Sequence, residues 1–336
     1  MAASSFPQTA RFKYHHTGMF VSSLKKSIAW YGEILGYRLL DKQRAVFADG
    51  ECDLARLKHG DHYIHLFERP RATPYSDGAY MNTLGIKHLD LQVPDDKYDE
   101  LHRYFASKGV VFLVGAPDAA GNIPTVHNEK ILGKPGGLKV MYIRDADGIP
   151  IEINGDYRPE LYYPDLPDKD AAKYFPAPVP PNELGPDPEY EGSFPRDIPL
   201  RYHHTGIFVR DLDRSIRWYE EMLGYRFLYR RKGTYARFDD FSVPWIVNVA
   251  MLKHGEFYAE MFEMPDNPEC NEEQYQNTLG TKHLNLSLPA DQHELLWKYL
   301  TDKRAEIVAI PGGLEIFDPD HTRVEISGGE VTRGAM

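Results

Sequence analysis

Histidine and glutamate recur in this chain on strand-like runs that can be apolar on one face only. In HLDLQV, alternation puts Leu89, Leu91 and Val93 on one face and His88, Asp90 and Gln92 on the other. A second run sets Leu284, Leu286 and Leu288 against His283, Asn285 and Ser287. Ile149, Ile151 and Ile153 oppose Pro150, Glu152 and Asn154, and Val324 and Ile326 oppose Arg323, Glu325 and Ser327. The apolar faces must cover helices, so the histidines and glutamates look into a cavity. His16 and His204 each open a His-Thr-Gly-aliphatic run, His65 lies between Ile64 and Leu66, and Glu260 lies between Ala259 and Met261. The first half of the chain thus offers His16, His65, His88 and Glu152, and the second His204, Glu260, His283 and Glu325. Imidazole and carboxylate donors with room for water suit Zn²⁺, Ni²⁺ or Fe²⁺. A lone strand histidine is ordinarily structural, so these four positions in each half stand here as candidate ligands. Strict alternation turns His15 and His203 to the opposite face, as structural residues. His59 and His254, in Lys-His-Gly turns, are expected to face solvent.

The elements that must position these residues are repeated. Residues 15–40 and 203–228 align without gaps and are identical at 17 of 26 positions. NTLGIKHLDLQVP from Asn82 returns as NTLGTKHLNLSLP from Asn277, and LKHG at Leu57 returns at Leu252. The chain is therefore a duplication of a domain-sized unit. Each unit reads as two halves. Tyr14–Val21 predicts a strand and Leu24–Leu35 a helix, with Leu24, Ile28, Tyr31 and Leu35 on one face, a serine cap and Gly36 as its stop. Strands follow at Tyr37–Asp41, Leu54–Lys58 and His62–Glu68. The second half gives a strand at Lys87–Val93, a helix near Tyr98–Lys108, and strands near Val110–Val114, Lys139–Ile143 and Pro150–Asn154. The order βαβββ appears twice per unit, an α+β architecture with helices on one face of mostly antiparallel sheets. The expected boundaries are a tail (1–10), domain 1 (11–157), a proline-rich linker (158–199), domain 2 (200–330) and a tail (331–336). Residues 156–199 hold 11 of the 25 prolines, and their aromatics suggest a strap packed on a domain surface.

HHTGMFVSSLKKSIAWYGEILGY, GIKHLDLQV and YIRDADGIPIEING resemble the vicinal oxygen chelate superfamily, which includes glyoxalase I, extradiol dioxygenases and methylmalonyl-CoA epimerase. The resemblance covers both units. It implies paired βαβββ modules curled into cups, each around one divalent metal. It also implies that His16, His88 and Glu152 form the two-histidine, one-carboxylate triad of an extradiol dioxygenase. Tyr142, ten residues before Glu152, would hold a substrate hydroxyl, and His62 would act as acid or base. Gly133 stands where the family has a further histidine, and His65 could fill a position that dioxygen needs. The leading expectation is an Fe(II) ring-cleaving dioxygenase acting on a catecholic or phenolic small molecule, with the first unit as the main site. The alternative is a glyoxalase-like lyase, isomerase or epimerase using Zn, Ni or Mn, for which His204, Glu260, His283 and Glu325 supply the set. A ligand-sequestering protein without catalysis is the third reading.

Composition sets the outer bounds. The 336 residues carry a net charge of −11, with no cation excess to neutralise a nucleic-acid backbone. Two cysteines exclude a disulfide framework, and no apolar run suits a membrane span or a secretory signal. A cytoplasmic enzyme acting on a small aromatic molecule is expected; a homo-oligomer is compatible with the sequence.

Overall fold

The computed structural model describes residues 6–7, 10, 12–47, 50–60, 62–81, 83–123, 138–157, 192–236, 244–264, 277–310 and 312–328. The strands and helices run β1 (Lys13–Val21), α1 (Leu24–Leu35), β2 (Arg38–Phe47), β3 (Gly50–His59), β4 (His62–Glu68), α2 (Asp77–Met81), β5 (Gly85–Gln92), α3 (Asp95–Ser107), β6 (Phe112–Val114), β7 (Val140–Arg144) and β8 (Pro150–Asn154). The second copy continues with β9 (Arg201–Val209), α4 (Leu212–Leu223), β10 (Arg226–Ala236), β11 (Pro244–His254), β12 (Phe257–Glu263), β13 (Gly280–Leu288), α5 (His293–Asp302), β14 (Ile307–Ile310), β15 (Gly313–Phe317) and β16 (Arg323–Gly328). The helix α1 begins where Ser23 caps the Lys26 amide and ends at Gly36, whose left-handed φ of 65° suits glycine. Among the described residues no helix is long and apolar enough to cross a membrane.

The expected α+β modules are present, but they pair across the copies. One eight-stranded sheet has the order β10-β11-β12-β9-β5-β8-β7-β6, the other β14-β15-β16-β13-β1-β4-β3-β2. Each sheet therefore joins the first module of one copy to the second module of the other, through antiparallel β5–β9 and β1–β13 contacts. The hydrophobic cores follow the copies instead. One core packs α1 and α3 side chains such as Tyr31, Leu35, Leu101 and Phe105 against Leu57, Leu66, Leu89 and Ile151. The other packs Tyr219 and Leu223 of α4 and Leu296 and Leu300 of α5 against Ile207, Met261, Leu284 and Val324. A repeat thus marks a unit that shares one helix-side core, while each concave sheet face is assembled from both repeats.

The chain ends of each copy cross to the other. Phe12 N–H donates to His254 Nε2 (3.1 Å) and Leu200 N–H to His59 Nε2 (3.3 Å). The Nδ1–H of each ring then donates to the carbonyl ending a helix, Gly224 for His254 and Gly36 for His59, both at 3.2 Å. These histidines are half-buried connectors, which corrects their expected exposure. Next to the undescribed segment, Phe194, Ile198 and Leu200 join the first copy's core. Residues 158–191, His127, Gly133 and Cys270 lie outside the described residues.

Candidate metal centres

Four donors converge on the concave face of the first sheet. His88 on β5, Glu152 on β8, His204 on β9 and Glu260 on β12 place one ligand atom each within 4.8 Å of all the others. His88 Nε2 lies 3.1 Å from Glu152 Oε2, and His204 Nε2 lies 3.6 Å from that oxygen and 3.3 Å from Glu260 Oε2. All four residues are buried. We call this cluster centre I.

Centre II occupies the second sheet. His16 on β1, His283 on β13 and Glu325 on β16 also fall within 4.8 Å of one another. The two imidazole Nε2 atoms are 3.1 Å apart, and His283 Nε2 lies 3.3 Å from Glu325 Oε2. His65 on β4 stacks on the His16 ring, with centroids 3.5 Å apart, and stands outside the convergent set.

The structure therefore redistributes the expected ligands. His16 and His65 share a sheet with His283 and Glu325, not with His88 and Glu152. A triad of His16, His88 and Glu152 is not assembled, because β1 pairs with β13 and β5 with β9. Tyr142 does reach centre I. On β7 it sits opposite Glu152 and its hydroxyl donates to Glu152 Oε2. His62 is a correction: it lies on the face of β4 opposite His65, buried on the helix side, with Nε2 2.6 Å from the Tyr37 hydroxyl.

Two features escaped the sequence reading. The first is a glycine opposite each cross-strand histidine. A Cβ on Gly206 would lie 2.0 Å from His88 Cε1, and one on Gly18 would lie 2.0 Å from His283 Cε1. The glycine of each His-Thr-Gly run thus clears the space its neighbour's imidazole fills. The second is a β-bulge. Pairing skips from Tyr14 to His16 on β1 and from Tyr202 to His204 on β9, so His15 and His203 are the extra residues. Each swings beside the next histidine, with Nδ1 atoms 2.8 Å apart in both pairs. Alternation fails at that position, and the expected opposite orientation is corrected.

Charge separates the two centres. In centre I, burial opposes a charge on His204, but Asp90, Glu152 and Glu260 outweigh it and hold its pKa well above the usual range. Burial alone would raise Glu152, yet hydrogen bonds from His204 and His88 hold it well below the ordinary carboxylate range. Burial pushes the fully buried Asp90 up, and the His204 charge draws it back. In centre II, burial and the neighbouring histidines keep His16 neutral, burial and Arg323 push His283 down to about 3, and burial with Glu315 raises Glu325 to about 7. Imidazole nitrogens and carboxylate oxygens in convergent sets of three or four, buried except for the half-buried Glu325, fit a first-row divalent ion chemically.

The family model for the glyoxalase/bleomycin resistance protein/dioxygenase superfamily matches residues 13–153 and 201–326. The chain belongs to this superfamily. Superfamily members bind divalent metals and small-molecule substrates and include enzymes. Maize (Zea mays) glyoxalase I is similar in fold, with a TM-score of 0.57 at 18% identity over 95% of this chain and 93% of that one. A putative dioxygenase from Bacillus subtilis gives a TM-score of 0.60 at 12% identity over 94% and 85%. At these identities the superfamily likeness describes the fold alone. No curated protein matches the sequence significantly.

Proposed function

We propose that the chain is a divalent-metal enzyme of the lyase or isomerase type, moving a proton on a carbon next to a carbonyl at centre I. The observation that supports this is the donor set itself, two imidazoles and two carboxylates from four strands. Two carboxylates balance a divalent charge, which leaves the centre near neutral and suits proton transfer better than holding a phenolate. A bound Zn, Ni, Mn or Fe ion would polarise a substrate oxygen there. His88, Glu152, His204 and Glu260 would hold it.

The two carboxylates are not equivalent. Glu152 is tied by Tyr142, His88 and His204 and held at low pKa, so it is a poor base. Glu260 meets His204 at 3.3 Å and the Arg231 guanidinium at 3.8 Å, and is the group we assign to carry the proton. Tyr142 then serves to hold Glu152 in place. This replaces its expected role on a substrate hydroxyl.

The lining supports a substrate with an apolar or aromatic body. On the concave face Val247, Val249, Phe208 and Phe262 form one apolar cluster, and Val140, Leu228, Tyr229, Met251 and Tyr258 another. Where centre I has Tyr229, Met251 and Tyr142, the aligned positions near centre II carry Asp41, Arg56 and Glu315.

Metal-loaded protein in D₂O should catalyse deuterium exchange beside the carbonyl of aromatic hydroxy- or oxo-carbonyl compounds, without oxygen uptake. Glu260→Gln should lower that exchange by about 10²–10⁴-fold while the ion stays bound. Exchange unaffected by the substitution would remove Glu260 from this role.

A second reading attaches to centre II, whose His16, His283 and Glu325 make a two-histidine, one-carboxylate set of the kind that holds Fe(II) for oxygen chemistry. Oxygen consumption on a catechol by the iron-loaded protein would support it. Cation binding at centre II must also compete with the Glu325 proton. In His88→Ala protein, zinc affinity should therefore rise about tenfold per pH unit up to about pH 7 and level off above, as read by chelator competition.

A further inference from the structure

Behind His204, on the side turned away from centre I, stand His203 and Asp90. We propose that this pair fixes the tautomer of His204 and makes centre I the tighter of the two metal centres. The inference rests on reading both clusters as metal centres.

His203 Nε2 lies 2.9 Å from the Tyr157 oxygen, and a carbonyl only accepts, so Nε2 carries the hydrogen. With the Nε2 hydrogen committed to that carbonyl, the single-hydrogen form of the buried His203 ring has its lone pair on Nδ1. That lone pair faces His204 Nδ1 at 2.8 Å, so His204 Nδ1 donates. Asp90 Oδ1 is a second acceptor, 3.5 Å from the same nitrogen and 3.3 Å from His203 Nδ1. Asn154 Nδ2 donates to both Asp90 oxygens at 2.9 Å and fixes the carboxylate in place. With the Nδ1 hydrogen committed to the rear, the hydrogen that a bound ion would replace is the one on Nε2, the atom His204 turns to Glu152, Glu260 and His88. A carboxylate behind a ligating imidazole orients the ring and raises its basicity as a donor.

Centre II repeats the bulge but not the charge. His15 Nδ1 lies 2.8 Å from His16 Nδ1, just as in the other copy. The residue in register with His16 is Asn285, where Asp90 is in register with His204. The Ser327 hydroxyl donates to Asn285 Oδ1 at 2.9 Å. An amide cannot supply the negative charge. The two copies thus differ in charge behind the first-strand histidine, Asp90 held by Asn154 in one and Asn285 bonded by Ser327 in the other.

The test uses zinc and the full-length protein. In a His283→Ala background, which disables centre II, Asp90→Asn should weaken zinc at centre I by about 10–100-fold in chelator competition. It should also shift the visible spectrum of bound cobalt(II), while melting of the metal-free protein shows that the fold persists. The converse arm stands if Asp90→Asn fails to fold: in a His88→Ala background, Asn285→Asp should strengthen zinc at centre II by a similar factor. Zinc affinity within twofold of the parent in either arm overturns the proposal. Absence of zinc from centre I of the His283→Ala parent overturns both it and the metal reading beneath it.

Discussion

Gly206→Ala empties centre I of metal while centre II keeps its ion. The expectation follows from one contact. The added Cβ would stand 2.0 Å from His88 Cε1 and 2.3 Å from Nε2, far inside any tolerated approach. The clash involves the ring itself, and Gly206 lies directly opposite His88 in the β5–β9 ladder. His88 must rotate away or the two strands must separate. Either movement breaks a joint between modules of different copies, so destabilisation by more than about 1–3 kcal/mol is expected as well. Gly18→Ala should do the same to His283 and centre II. Metal analysis after dialysis separates the outcomes: one ion lost for each single substitution, two for the pair. Full metal content in Gly206→Ala would show that the ring has another place to go.

His204→Ala should unsettle even the metal-free protein, more than His88→Ala does. His204 is the ring whose positive charge is held by its surroundings, among Asp90, Glu152 and Glu260. Removing it leaves three buried carboxyl groups without that cation. Loss of one partner from a buried charge cluster typically costs about 3–5 kcal/mol. Denaturant unfolding in EDTA at neutral pH should show that loss, with part of it recovered by adding Glu152→Gln. The sign with pH also follows. A raised histidine pKa stabilises the fold most at low pH, and the contribution fades as pH rises through the elevated value. The gap between parent and His204→Ala should therefore narrow in alkaline solution.

Much of this scaffold was legible in the sequence, and the reasons are local. Leu24–Leu35 reads as a helix because its apolar stripe, serine cap and terminal glycine agree, and the structure keeps those bounds. Alternation correctly placed His88 and Glu152 on the face away from the helices, since Leu89 and Ile151 had to reach the core. What could not be read was the partner of each module. Nothing local in HLDLQV says whether β5 adds to β1 or to β9. Both first strands begin with nearly the same His-His-Thr-Gly run, so either pairing satisfies the pattern. The bulges at His15 and His203 were hidden for a related reason. A bulge is a property of two strands in register, and period-two reasoning assumes that none exists. Asp90 had been placed on the polar face, but its use depends on His203, which alternation sent the wrong way.

The measurement that bears most directly on the account is anomalous diffraction at the metal edge from crystals of the zinc-loaded protein. The account predicts two peaks, one enclosed by His88, Glu152, His204 and Glu260 and one by His16, His283 and Glu325, each drawing ligands from both copies. A single peak bounded by His16, His65, His88 and Glu152, all from the first copy, would contradict it.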